Sequence, residues 1–441
     1  MNIITRRCSL SLAASVLASA AAGGGAQSVA AADVEPPKHP VEKDASLRVA
    51  RPTKFVDPDE TIFRQNTDKF SKATGVRVRV DFVGFEDLRP QTAVAANTGA
   101  GPDLVLGWMD DPHLYADNLI DVTPLAEYLG QKYGGWKFLA QTFGRKWKTN
   151  TWIAVPMGGA GAPCNYRISW VKQAGFEKIP NDLDQFLALC RKLKELGHPA
   201  GFALGNAVGD ANNYANWLLW SHGAYLTEED GTIAINRPQT IEALKYAKAL
   251  QETFIPGTLS WLDPSNNKAF LSRQISITQN GVSIYFVAKN DPETADIAAD
   301  MDHAPMPLGL AKSTPETALI INAMIFKHTK YPNAAKEYLR FMMEAEQYEP
   351  WLNACLGYWS NPLKAYDQAA VWNGDPKVRL FREALDHQFW PSYKGPINAA
   401  SAAIAANYVT VHMFAAVASG QATPEDAASE AERQMKRYYK A

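Results

Sequence analysis

Trp108, Asp110 and Asp111 stand directly beyond a short apolar run, Leu104-Val105-Leu106. An indole beside carboxylates suits two kinds of chemistry. Flat rings can cover the apolar faces of a small molecule while carboxylates accept from its hydroxyls or amines. Alternatively, two carboxylates can share acid–base work across a glycosidic bond, which needs them roughly 5–10 Å apart on either side of it. Adjacent residues do not meet that geometry readily. The chain carries no GxSxG, HExxH or phosphate-loop motif and no metal-ligand spacing, and its eight His are scattered. No catalytic centre, metal site or cofactor is expected.

The elements around these residues read as an α/β chain. SLRVARPTKF is a first strand, and DPDETIFRQNTDKFSKATG an amphipathic helix closed by Gly75. VRVRVDFV alternates, with Val76, Val78, Val80 and Phe82 on one face. EDLRPQTAVAANTGAG is a poorer helix, broken early by Pro90. Residues 104–106 are apolar without alternation, as in a central strand buried on both faces. Strand, helix, strand, helix, strand is the pattern of a parallel sheet. In such open sheets ligands collect beyond the carboxyl ends of the strands, where Trp108 and Asp110 lie. The Gly-rich segment 151–170 reads as a crossing between lobes. A helix follows from Leu183 with Asp182 and Gln185 as a capping box, then AGFALG as a buried strand and a helix around 238–254. RQISITQNG, HAPMPLG and TALIINAMIFKH read as strands and a second crossing. YPNAAKEYLRFMMEAEQYEPWL reads as one helix, and the last helix is capped by Thr423 with Pro424 at its first position.

Residues 1–32 are different material: Arg6 and Arg7, then no charge until Asp33 and an apolar stretch rich in small residues. This is an export signal, with cleavage expected after Ala32. Thr5-Arg6-Arg7 resembles a twin-arginine signal. Its removal leaves 42 basic against 46 acidic residues and no basic stripe, so nucleic acid is not an expected partner. No later apolar run reaches spanning length. Cys164, Cys190 and Cys355 remain, which allows at most one disulfide.

Several blocks, in order, carry a family resemblance: GAGPDLVLGWMDDPHLYADNLIDVTPL, NYRISWVKQAGFEKIPNDLDQFLALCRKL, WSHGAYLTEEDGTIAINRPQTIEALKYAKAL, NKAFLSRQISITQNG, GYWSNP and SGQATPEDAASEAERQM. Over about 47–438 the chain resembles the extracellular solute-binding proteins of ABC importers, the family of the maltose-binding protein. The resemblance implies a two-lobed periplasmic-binding-protein fold of the type II kind. Each lobe would be a mixed, mainly parallel sheet flanked by helices, with hinge crossings between lobes. The expected division is 1–32 signal, 33–158 and 306–350 first lobe, 159–305 and 351–441 second lobe. It also implies a periplasmic monomer that holds a carbohydrate in the cleft, passes it to the transmembrane subunits of an ABC permease and does no chemistry. A non-sugar cargo (a polyamine or glycerol phosphate ester) is the alternative; an exported carbohydrate hydrolase or a scaffold with a vestigial cleft are the other readings.

The resemblance also marks candidate ligand residues. Asp110 falls where a relative uses an Asp on sugar hydroxyls, against a helix-cap role before His113; Trp108 competes with core packing. Asp103 matches the structural Asp of the family's PD pair. Phe85 and Glu86 mirror an aromatic–acid pair. Trp220 matches a cleft position, and Trp217 shares its helix face, against a core stripe with Leu218. Ser283 stands where many relatives carry a stacking Trp, so Asn280 and Tyr285 are the substitutes. Tyr166, beside Asn165 in the crossing, and the loop aromatics Trp261, Tyr358, Trp359 and Trp390 complete the set. Arg167 is expected in a surface ion pair rather than on an anionic sugar.

Overall fold

The computed structural model describes residues 31–439, so the export signal expected at 1–32 lies, apart from Ala31 and Ala32, outside the described residues. The strands are β1 (Ser46–Pro52), β2 (Arg77–Val83), β3 (Leu104–Trp108), β4 (Val155–Gly161), β5 (Cys164–Arg167), β6 (Ile277–Gln279), β7 (Met301–Ala304) and β8 (Ala318–Ile325). They form two sheets, ordered β2-β1-β3-β8-β4 and β6-β5-β7; the first is mixed, whereas the second, expected to be mainly parallel, is antiparallel at both pairings because its three short strands return from distant parts of the chain. β1 pairs in parallel with β2 and β3, as the strand–helix alternation requires. β8 enters from the far end of the chain and runs antiparallel between β3 and β4. All five residues of β3 and all eight of β8 are buried, the signature of central strands. β2 is the edge strand, and its alternating Val78, Val80 and Phe82 are only half-buried.

Local rules explain the helices. Asp57–Thr74 has acids in its first turn and ends on Gly75 in the left-handed region, φ +75°. Leu183–Glu195 begins on Asp182, whose side chain accepts from the Gln185 N–H at 2.9 Å. Four expectations need correction. Pro90 does not break its helix, which runs unbroken from Phe85 to Thr98; packing of Leu88, Thr92 and Ala95 inside outweighs the one backbone bond that proline removes. AGFALG is extended and buried but is no sheet strand. The Gly201 and Leu204 N–H groups donate to Ile277 and Thr258 carbonyls instead. The single helix expected over 331–352 is two, Pro332–Met343 and Ala345–Ala354. They part at Glu344, whose carboxylate accepts from Tyr128, Tyr133, Lys132 and Arg340 at 2.6–2.7 Å. Finally, Ala399–Ala418 is apolar and long enough to cross a membrane by composition. It is folded as two helices, Ala399–Ala406 and Val409–Ala418, bent at Tyr408, φ +55°.

Only Ala162 and Pro163 separate β4 of the first sheet from β5 of the second, so the 151–170 segment does cross between sheets. The second crossing is 305–317. A first apolar core packs on the five-stranded sheet and continues through Tyr358 and Phe381 to Tyr285 and Met301 beside the smaller sheet. Within it, Trp351, Trp372 and Leu385 show that much of 351–385 packs with the first sheet, a placement that element order alone does not reveal. A second core gathers Phe186, Phe202, Tyr214, Trp217 and the 399–438 helices. Cys164, Cys190 and Cys355 are buried free thiols. Arg167 pairs with Asp300 at 3.0 Å and lies over the Trp170 ring. Asp103 accepts from the Arg48 N–H and the Thr329 hydroxyl, which ties β1 and β3 to the turn after β8.

The second crossing contains a buried acid. Glu316 accepts from the Met306 N–H at 2.6 Å, and its nearest basic group, His387 at 3.7 Å, is itself held down to about 4 by burial and is neutral at pH 7. Burial pushes the Glu316 carboxyl up to about 8. The folded state therefore binds the proton more tightly than the unfolded chain, and stability falls as pH rises from about 4.5 to about 8. Glu316→Gln should raise the free energy of unfolding at pH 8 on the order of a few kcal/mol, and with it the melting midpoint, and leave both unchanged at pH 4. Equal midpoints for both proteins at pH 8 would refute this assignment.

Candidate functional site

The carboxyl ends of the first sheet's parallel strands deliver two rings to one place. Phe55 follows β1 and Phe85 follows β2; their centroids lie 4.7 Å apart, edge to face. Tyr358, from the loop after the Ala345–Ala354 helix, faces Phe55 at 6.1 Å. These rings line one side of a narrow cavity of about 350 Å³, counting its opening to solvent. The crossing residues Ala160–Ala162 form its floor, and Asp210, Asn213, Asp263, Asn280, Gly281 and Ser283 line the side belonging to the smaller sheet. A Cβ on Gly281 would meet the Gly161 carbonyl oxygen at 3.4 Å and Ala160 Cβ at 3.6 Å, so the two sides approach closely here.

The polar wall is built by helix starts and an amide network. Asp263 accepts from the N–H groups of Val208, Gly209 and Asp210 at 2.7–3.0 Å and so closes the N-terminus of the Asp210–Ser221 helix. Asp210 Oδ2 accepts from Asn266 Nδ2 at 2.7 Å. Asn280 donates to Asn266 and Asn267, and Asn267 donates to the Ser283 hydroxyl. Asn165 of the crossing donates to the Asn280 carbonyl at 2.8 Å. Asn213 is 4 % exposed and its Oδ1 has no partner. Burial raises the Asp263 carboxyl to about 6, and burial with the neighbouring Asp263 raises Asp210 well above the ordinary range.

A second polar cluster lies near the mouth, between the Phe85–Thr98 helix, the short Asp111–Leu114 helix and Tyr408 from the other lobe. Arg89 Nε donates to Asp111 Oδ1 at 2.8 Å, and Asp111 Oδ2 accepts from the Trp108 N–H. Asp110 is buried with Oδ1 unpartnered, and burial lifts its carboxyl to about 7 against the pull of Arg89. Glu86 Oε1 is likewise buried without a partner.

Of the residues expected at the ligand, Phe85, Asn280 and Tyr358 line the cavity. Glu86 and Asp110 belong to the second cluster. Trp108 is fully buried behind Phe85, 4.5 Å between centroids, so it supports the wall without lining it. The remaining seven expected aromatics lie elsewhere. Trp217 donates to the Pro307 carbonyl inside the second core, and Trp220 packs on Phe389. Tyr166 sits in β5, and Tyr285 donates to Asp375. Trp261 lies so close to Gly201 that a Cβ there would stand 2.7 Å from its ring; Trp359 packs equally tightly on Gly158. The seventh, Trp390, donates to the Gly395 carbonyl beside Trp147. Sequence reasoning missed Phe55, Asp210 and Asp263 and left Asn213 aside. The strand-end rule that selects Phe85 selects Phe55 equally, and DANN and DPSNN each pair a helix-starting acid with adjacent asparagines. Among the described residues no group of three or more His, Cys, Asp or Glu is placed to hold a metal.

Two α/β lobes joined by crossing strands, with a ring-and-carboxylate cavity at their seam, define a solute-binding protein of the two-lobed class. The chain belongs to the bacterial extracellular solute-binding protein family, whose model matches residues 65–379. A Brucella abortus (strain 2308) protein named as a binding protein is 23% identical over 193 residues, 42% of this chain and 46% of that one. YcjN of Escherichia coli (strain K12), named as an ABC transporter periplasmic-binding protein, is 22% identical over 237 residues, 53% of each chain. The chain thus matches about half the length of these curated relatives. Among solved structures, a sugar transporter from Arthrobacter chlorophenolicus A6 with bound laminaribiose superposes with a TM-score of 0.75 at 16% identity, covering 89% of this chain and 99% of that one. The T. maritima MalE3 structure with maltose gives 0.72 at 17%, covering 89% and 99%. A solute-binding protein from Agrobacterium radiobacter K84 in complex with ribitol gives 0.73 at 17%, covering 89% and 98%. At these identities the likeness is one of fold.

Proposed function

We propose that this chain is the periplasmic solute-binding component of an ABC importer, which encloses a carbohydrate or polyol between its lobes and delivers it to the transmembrane permease. The observation that carries this reading is the seam cavity, where Phe55, Phe85 and Tyr358 face Asp210 and Asn213. Rings cover the C–H faces of a sugar, and carboxylate and amide groups take its hydroxyls; a buried hydroxyl left unpaired would cost about 1–3 kcal/mol. The solved relatives holding laminaribiose, maltose and ribitol lend support. The protein acts without chemistry, as a monomer, after export on the twin-arginine route. Its lobes are 33–158 with 306–350 and 159–305 with 351–441, the stretch 351–385 packing against the first. Closure about the crossings buries the cargo.

Melting the protein with a panel of sugars and polyols tests this. A ligand at a hundredfold excess over its Kd adds about 2.7 kcal/mol, so a raised midpoint with no product formed is expected. Turnover of a panel member, or no shift across the panel, contradicts the reading.

A further inference from the structure

The acids at the seam have no cation to balance them. Asp210 lines the cavity and has a side-chain bond only from the neutral Asn266 amide. Neither it nor the nearby Asp263 and Glu86 forms an ion pair among the described residues; of the two guanidinium groups in the neighbourhood, Arg89 pairs with Asp111 through Nε alone, its Nη1 and Nη2 meeting no acceptor, and Arg51 pairs with Asp59. Asp263 is engaged on three backbone N–H groups, whereas Asp210 Oδ1 meets no donor among the described residues. The independent observation is Asn213, 96 % buried in the same wall with an acceptor oxygen that nothing meets. The amide hydrogens of Asn280 are already given to Asn266 and Asn267, so they are not available to a cargo. Asn213 Nδ2 also meets no acceptor among the described residues, so the wall offers a donor as well as acceptors; it is Asp210, whose carboxylate is held back by burial and by Asp263 and would be favoured by a cation, that gives a positively charged guest its advantage. Opposite stand Phe55, Phe85 and Tyr358, whose π faces also favour a cation.

We propose that the cargo presents a protonated amine to Asp210 and Asn213, so that this site takes a small amino sugar or amino polyol in preference to its neutral counterpart. The inference rests on the carbohydrate reading above and narrows it. An ammonium brings three donors and a charge, where a hydroxyl in the same place brings one donor and no charge.

Titration calorimetry on matched pairs decides it: D-glucosamine against D-glucose and against N-acetyl-D-glucosamine, D-galactosamine against D-galactose, and 1-amino-1-deoxy-D-sorbitol against D-sorbitol. In at least one pair the amine should bind about tenfold or more tightly, as a charge-assisted contact supplies. Asp210→Asn, which still accepts from Asn266, should bring that ratio close to one while the far-ultraviolet spectrum stays unchanged. Asn213→Ala should weaken the amine as well. Equal or tighter binding of the neutral partner in every pair overturns the inference and leaves the carbohydrate reading standing, as does an amine preference that survives Asp210→Asn. Binding of putrescine or spermidine with no sugar or polyol bound overturns both.

Discussion

Arg51→Ala is expected to lower the free energy of unfolding by about 3–5 kcal/mol, the usual consequence of stranding one charge of a buried pair. Arg51 is fully buried in β1. Its Nη2 donates to Asp59 Oδ2 at 2.6 Å, and its guanidinium lies 4.4 Å from the Phe63 centroid and 5.1 Å from that of Phe82. Asp59 Oδ1 accepts from the Trp351 indole at 3.1 Å. Without the arginine, the Asp59 carboxylate is left with one neutral donor in a ring-lined interior. The pair also fastens β1 to the Asp57–Thr74 and Ala345–Ala354 helices, which carry the segments leading to Phe55 and Tyr358. Urea unfolding of the variant should show a much lower midpoint with an unchanged slope. Arg51→Met combined with Asp59→Leu, which removes both charges, should recover most of the loss. A single variant as stable as the parent would contradict this account of the pair.

Phe85→Ala is expected to have the largest effect on binding. Phe85 is 5 % exposed and wedged between Phe55 and Trp108. Its loss removes a wall of the cavity and opens the space in front of Trp108. Affinity for whichever panel ligand binds the parent should fall about 10- to 100-fold, roughly 1.4–2.8 kcal/mol. The protein itself should lose about 3–5 kcal/mol, as for other buried Phe→Ala changes. Phe85→Leu separates the two effects: it keeps most of the packing but has no ring, so stability should largely return while affinity stays low. Calorimetry on both variants reads this directly. Full affinity in Phe85→Leu would mean that the ring does not face the cargo.

These two predictions draw on different levels of legibility. The first three strands and their helices follow from periodicity, and Gly75 and Asp182 mark the end of the Asp57–Thr74 helix and the start of the Leu183–Glu195 helix as the capping rules require. The antiparallel entry of β8 between β3 and β4 is a long-range pairing, which no local pattern in TALIINAMIFKH encodes. Glu344 illustrates the same limit. It reads as one more acid in a helix, and only the convergence of Tyr128, Tyr133 and Lys132 from 200 residues away turns it into a break. At the site, position relative to a strand end was informative and residue type was not. Phe85 is selected by that rule, and Phe55 by the same rule applied one strand earlier. Trp217, Trp359 and Trp390 drew attention as rings, yet their indoles serve cores and turns, because a large apolar side chain gains most by burial wherever the fold offers it. Asp210 and Asn213 were obscured by looking like an ordinary helix start.

The most direct test of the central claim is a crystal structure of the protein with the tightest ligand from the panel. The account predicts density at the seam between the two sheets, with the rings of Phe55, Phe85 and Tyr358 on one side and a polar group of the ligand within hydrogen-bond distance of Asp210 and Asn213 on the other. A ligand seated anywhere else, such as the surface groove between the Val409–Ala418 and Pro424–Tyr438 helices, with the seam left without it, would contradict the account.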